Sequence, residues 1–144
     1  LMIPHVATQI SNQEIELFEL IKKDIQSLPD NLDIGKDPDN KPLELTCHML
    51  AEAISKKYNL RRVDGAYIPV FMFHSWCISP EGNIIDVYPC LIVGGPLFIY
   101  VPDKTISHQL FEMYKCTQIN IYGRWNKYYF DQGVNALNKY LTCK

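Results

Sequence analysis

"FMFHSWCISPEGNIIDVYP", residues 71 to 89, is the stretch on which the reading of this chain turns. Its first half is aromatic and apolar, Pro80-Glu81-Gly82-Asn83 is turn chemistry, and "IIDVY" resumes the strand-like composition, so the whole reads as a β-hairpin. Side chains alternate along a strand, which puts Met72, His74 and Trp76 on one face and Phe73, Ser75 and Cys77 on the other. On the partner strand Ile84, Asp86 and Tyr88 share a face. The separation of His74 and Asp86, 12 residues, leaves a loop of about four residues. The two side chains then meet at opposite-pair or diagonal distance.

A carboxylate bonded to one imidazole nitrogen fixes the tautomer and steadies the protonated ring, leaving the second nitrogen free to act as a base. Trp76 beside the pair keeps water off, which strengthens the interaction. The group such a pair would serve stands upstream, in "LTCHMLAEAISKKYNL", residues 45 to 60. Thr46 is a helix N-cap, Cys47 occupies the first helical position, Leu50, Ala53 and Ile54 form the buried stripe and Asn59 closes the helix. A thiol at a helix start meets the positive end of the macrodipole, and a neighbouring imidazolium pushes it further toward the thiolate. Backbone N–H groups of the same turn are placed to hold an oxyanion. His48 diverges from Cys47 by about 100° around the helix, so it is a poor alternative base. With Trp76 it is assigned to substrate binding.

Outward from this centre, "SNQEIELFELIKKDIQSL" opens with Ser11 and Glu14 in a capping-box pattern and predicts an amphipathic helix over residues 12 to 27. "PDNLDIGKDPDNKP" is a long, turn-rich loop. "AYIPVFMFHSWCI", from Ala66, reads as one strand. "CLIVGGPLFIYV" predicts further strand broken at Gly94-Gly95-Pro96. Residues 106 to 114 read as helix, "TQINIYG" as strand and "DQGVNALNKYL" as a terminal helix. In "YGRWNKYYFDQG" the alternation of Tyr122, Arg124 and Asn126 against Trp125 and Tyr129 predicts the outer strand of a sheet. The sum is an α+β fold with helices packed on one small antiparallel sheet. No repeat or linker divides residues 1 to 144, which are read as a single domain.

The bulk properties agree with a globular protein. Hydrophobic residues make up 47% and charged residues 21%, ordinary for a protein with a packed core. A net charge of −2 with scattered basic residues gives no nucleic-acid footprint, and base stacking by the aromatic tail is disfavoured for the same reason. No apolar run reaches the roughly 18 residues that a membrane span needs, and no secretory signal is visible. Leu1 ahead of Met2 reads as a residue added before the natural start. The 5 cysteines form no C-x-x-C pair, so neither a disulfide framework nor a zinc site is expected, and a reducing cytoplasm fits best.

The order Cys47, His74, Asp86 (helix start, strand, next strand) resembles the transglutaminase-like branch of the papain-like cysteine enzymes. "HSW", "PEGN" and "IIDVYP" fit that family's histidine, turn and aspartate elements. "LRRVDGAYIP" followed by "HSW" is similar to the leader-peptidase proteins of lasso-peptide biosynthesis. The likeness covers residues 46 to 89. It implies a papain-like, transglutaminase-like fold, with the helix bearing the cysteine packed on the sheet bearing histidine and aspartate. It further implies Cys47 as nucleophile, His74 as general base and Asp86 as orienting acid, acting without a cofactor on an amide or ester of a peptide or protein. Hydrolysis, deamidation and transfer to an amine stay open. Asn31, Asn40 and Gln26 are candidates for the upstream residue completing the oxyanion hole.

Two other readings use the same residues. One is a catalytically silent module binding a protein partner through the aromatic surface around Trp76 and Trp125; a partner that supplies substrate recognition is also compatible with the chain's size. The other is a metal site from Cys47, His48, His74 and Cys77. It has suitable ligand types, but His74 and Cys77 belong to opposite strand faces.

Overall fold

The computed structural model describes residues 10–88, 96–101 and 113–142. Among them the chain forms helix α1 (Asn12–Gln26), helix α2 (Cys47–Tyr58), strands β1 (Arg61–Tyr67), β2 (Met72–Ile78), β3 (Ile84–Asp86), β4 (Leu97–Ile99) and β5 (Tyr114–Cys116), and helix α3 (Lys127–Thr142). The strands make one sheet in the order β4-β3-β2-β1-β5, and every neighbouring pair is antiparallel. The α+β expectation is therefore met. No helix among the described residues is long and apolar enough to cross a membrane.

The two faces of the sheet carry different cores. On one, Cys77 and Ile85 pack with Leu50, Ala51 and Ile54 of α2, which in turn meets Val134, Leu137 and Leu141 of α3 and Ile21 of α1. On the other, Val63, Trp76, Ile84 and Tyr114 cluster with Tyr67, Ile99 and Val101. Buried aromatic and β-branched residues at alternate strand positions hold both faces together.

Both leading helices begin as their caps dictate. Thr46 is extended, and its side chain accepts from the Met49 N–H at 3.2 Å. Asn59 ends α2 in the left-handed region at φ 55°, a conformation asparagine tolerates. In α1, Ser11 accepts from Glu14 N–H at 3.2 Å, but the reciprocal half of a capping box is absent. Glu14 is instead buried, and its carboxylate accepts the hydroxyl of Ser79 and, at 2.8 Å, the Asn83 side-chain amide. It ties α1 to the β2–β3 turn, whose tightness rests on Gly82 at φ 87°.

Several sequence readings need correction. The expected single strand from Ala66 is two strands: β1 begins at Arg61, and Ile68–Val70 forms a 3-10 turn before β2. Pro69 has no N–H for a ladder, and Phe71 at φ 51° turns the chain back. Val87 and Tyr88 leave the sheet after β3. "TQINIYG" is not strand; the strand lies earlier, at Tyr114–Cys116. The predicted outer strand around Tyr122 to Tyr129 is a turn followed by α3. Trp125 there stacks under Arg124, 4.5 Å from ring centroid to guanidinium carbon. The helix expected at 106–114 and the strand at 90–95 fall mostly or wholly outside the described residues.

Candidate active site

Cys47 opens α2 on the first turn, half-buried. The helix presents N–H groups there that have no intrahelical acceptor. Facing it, His74 and Asp86 are both interior, at 0% and 1% exposure. Ladder pairing between β2 and β3 covers Ile78↔Ile84 and Cys77↔Ile85. The same register sets Asp86 opposite Trp76 and diagonal to His74, within reach of long side chains. His74 Nε2 lies 2.9 Å from Asp86 Oδ1 and 3.0 Å from Oδ2. The ladder stops at Cys77, so β2 from Met72 to Trp76 makes no ladder pair with β3, and the α2 start meets His74 there.

Asp86 is held by more than the histidine. The Tyr114 hydroxyl donates to its Oδ2 at 2.8 Å, and the Tyr88 N–H donates to Oδ1 at 3.2 Å. Tyr114 comes from β5, at the far edge of the sheet, across β1. That crossing depends on Gly65, which pairs with both His74 and Cys116. A Cβ at Gly65 would stand 2.1 Å from the Lys115 carbonyl oxygen, so only glycine lets β5 approach this closely.

Nε2 is engaged by Asp86, Nδ1 is the ring's other nitrogen, and His74 and Cys47 shift each other's titration. Burial opposes charge on His74, but the hydrogen bonds and charges of Asp86 and Cys47 prevail and raise its pKa to about 9. Burial pushes the Cys47 thiol up, while hydrogen bonds to His48 and His74, with their charge, bring it down to about 6. Near neutral pH the favoured form is a thiolate beside an imidazolium. Cys77, by contrast, is pushed up to about 11 by burial, an inert core thiol bonded to Ser55 at 3.3 Å.

The site residues read from the sequence are placed unevenly. Cys47, His74 and Asp86 come together on the expected elements. Trp76 is 3% exposed; its ring lies 6.1 Å from that of His74 and 5.2 Å from that of Tyr114. It walls the histidine in and offers almost no surface to a substrate or partner. His48 does not point away from the thiol as the helical projection implied. It is among the groups that lower the Cys47 thiol, and it lies 2.6 Å, through Nδ1, from Ser75 Oγ. Side chains in a helix lean toward its N-terminus, so neighbours in the first turn both reach around the open end. Gln26 ends α1 beside the far end of α2, where Asp24 meets Lys57 at 2.7 Å, which removes it from any oxyanion hole. Asn31 and Asn40 are exposed loop residues. Tyr114, Ser75 and Asp64 were not picked out by the sequence reading.

Among the described residues no group of three His, Cys, Asp or Glu side chains is arranged to hold a metal ion. A hollow of about 520 Å³ lined by Asp33, Gln132 and Lys139 shares no residue with the Cys47 cluster. No family model, curated protein or solved structure matches the chain.

Proposed function

We propose that this protein is a thiol acyl-transfer enzyme of the papain-like, transglutaminase-like kind, acting on an amide or ester of a peptide or protein. The observation that carries the reading is the chain of contacts from Cys47 through His74 to Asp86, with a lowered thiol at a helix start and a raised imidazole behind it. In this reading the Cys47 thiolate attacks the carbonyl carbon, forming a C–S bond as the carbonyl electron pair moves to oxygen. N–H groups of the α2 start are donors for that oxyanion. Collapse breaks the bond to the leaving nitrogen or oxygen, which takes the proton from His74 Nδ1. Water, or an amine, then loses a proton to the neutral imidazole, attacks the thioester and releases the thiolate. Asp86 keeps the ring oriented and stabilises its charged form throughout.

The test is incubation with a panel of p-nitrophenyl esters and peptide amides, followed by intact and peptide mass spectrometry. The reading expects an acyl adduct on Cys47, absent in Cys47→Ala. Turnover that survives Cys47→Ala in the folded variant would overturn it.

A further inference from the structure

The start of α2 brings a second imidazole to the same sulfur. Ser75, fully buried, stands directly opposite Asp64 in the β1–β2 ladder, and its hydroxyl donates to Asp64 Oδ1 at 2.6 Å. Asp64 is held by Arg62 Nη2 at 3.2 Å, and Arg62 Nη1 reaches Glu52 of α2 at 2.9 Å. A hydroxyl has one proton. Since Ser75 gives it to a carboxylate, His48 Nδ1–H must be the donor in the 2.6 Å contact with Ser75 Oγ. His48 Nε2 is then the ring atom left for Cys47. This chain lies on the α2 face of the sheet, whereas Asp86, Tyr114 and the ring of His74 lie on the other. The two converge on Cys47.

We propose that His48 is a second acid–base partner of the Cys47 sulfur, positioned by Ser75 and Asp64, so that the nucleophile is served by two histidine relays, one from each face of the sheet. The inference rests on the reading of Cys47 as nucleophile. A neutral Nε2 accepts the thiol proton, and a protonated one donates to the thiolate; both favour the deprotonated sulfur. The second relay matters most after acylation. His74 has by then given its proton to the leaving group and is engaged with the incoming water or amine. A protonated His48 Nε2 donates to the sulfur at that stage and stabilises the thiolate as it departs from the thioester.

The experiment follows iodoacetamide labelling of Cys47 against pH in the wild type, His48→Gln, Ser75→Ala and His74→Ala, with thermal melting as the check on folding. Glutamine at 48 keeps a polar side chain that cannot titrate. His48→Gln is expected to move the half-maximal pH upward by about one unit and to lower the rate at pH 6 about fivefold, with Ser75→Ala moving it the same way by less. If Ser75→Ala does not fold, position 48, half-buried at the open first turn of α2, carries the test. A His48→Gln profile that overlays the wild type, while His74→Ala moves up, would refute the second relay and leave the first intact. A wild-type profile at the ordinary thiol value would instead overturn the nucleophile reading, and this inference with it.

Discussion

Asp86 meets His74 Nε2 with both carboxylate oxygens, at 2.9 and 3.0 Å, diagonally across the β2–β3 pair. The contact is symmetric, buried and closed on its far side by Tyr114. Replacing Asp86 by asparagine keeps the shape and removes the charge. The amide also favours the wrong tautomer of the ring, an exchange that costs about 10⁴-fold in serine triads. Asp86→Asn is accordingly expected to slow Cys47 acylation by about three orders of magnitude or more with little change in melting. Asp86→Ala, which strands a buried imidazolium, is expected to cost about 3–5 kcal/mol of stability. Adduct formation by mass spectrometry and denaturant melts separate the two effects.

The charged pair also shapes stability against pH. His74 is raised from 6.5 to about 9, so its contribution is complete below about pH 6.5 and is lost as pH rises through about 9. Cys47 is lowered from 9.0 to about 6, so its contribution is complete above about pH 9 and is lost as pH falls through about 6. Between these limits the folded and unfolded pair each hold one proton, and the opposing slopes cancel. Cys47→Ser removes one side of this balance. The serine variant is expected to lose stability relative to the wild type as pH rises through this window, by on the order of 1 kcal/mol per pH unit at most. Urea midpoints at half-unit steps give the difference directly.

Gly65 lets β5 lie against β1, and β5 carries Tyr114. Gly65→Ala places a methyl 2.1 Å from the Lys115 carbonyl oxygen, so β5 must move, at an expected cost of about 1–3 kcal/mol. Tyr114→Phe removes only the hydroxyl that holds Asp86. Both variants are expected to reduce Cys47 labelling at pH 7, the glycine variant with a lower melting temperature than the phenylalanine one. An unchanged labelling rate in Tyr114→Phe would show that the β5 hydroxyl plays no part in holding the site.

Glu14 provides the contrasting case. It gathers Ser79 and Asn83 at the hairpin turn, and Asn83 in turn accepts from the Val101 N–H at 2.9 Å. Glu14→Ala leaves buried donors without an acceptor and is expected to cost about 2–5 kcal/mol. Its effect is on the fold alone: Cys47 labelling at 25 °C and pH 7 stays at the wild-type rate while the melting temperature falls.

The site was legible where local rules act alone. Thr46 fixes the helix start and hence Cys47; strict alternation fixes the shared face of His74 and Asp86. What escaped depends on long-range approach. Tyr114 lies in a stretch whose composition suits helix, and nothing local says that its hydroxyl reaches across the sheet. "RRVDG" carries Arg62, Asp64 and Gly65, residues with poor strand propensity, and is held as β1 by pairing with β2 along its length and with β5 at Gly65, a tertiary override of local preference. The helical projection places His48 a third of a turn from Cys47 and so assigns it to substrate binding and not to the sulfur, a rule that weakens at the open first turn. Glu14 looked like a cap residue because the spacing is right, but a buried Ser79 and Asn83 competed for its carboxylate and won.

The central claim is that Cys47 is an activated thiolate, and iodoacetamide labelling of each cysteine between about pH 5 and 9, resolved by peptide mass spectrometry, tests it most directly. The account predicts Cys47 labelling that is half-maximal near about pH 6 and slowed in His74→Ala, with buried Cys77 silent across the range. Cys47 labelling that rises only near the free-thiol value of about 8.5, unaffected by His74→Ala, would contradict it.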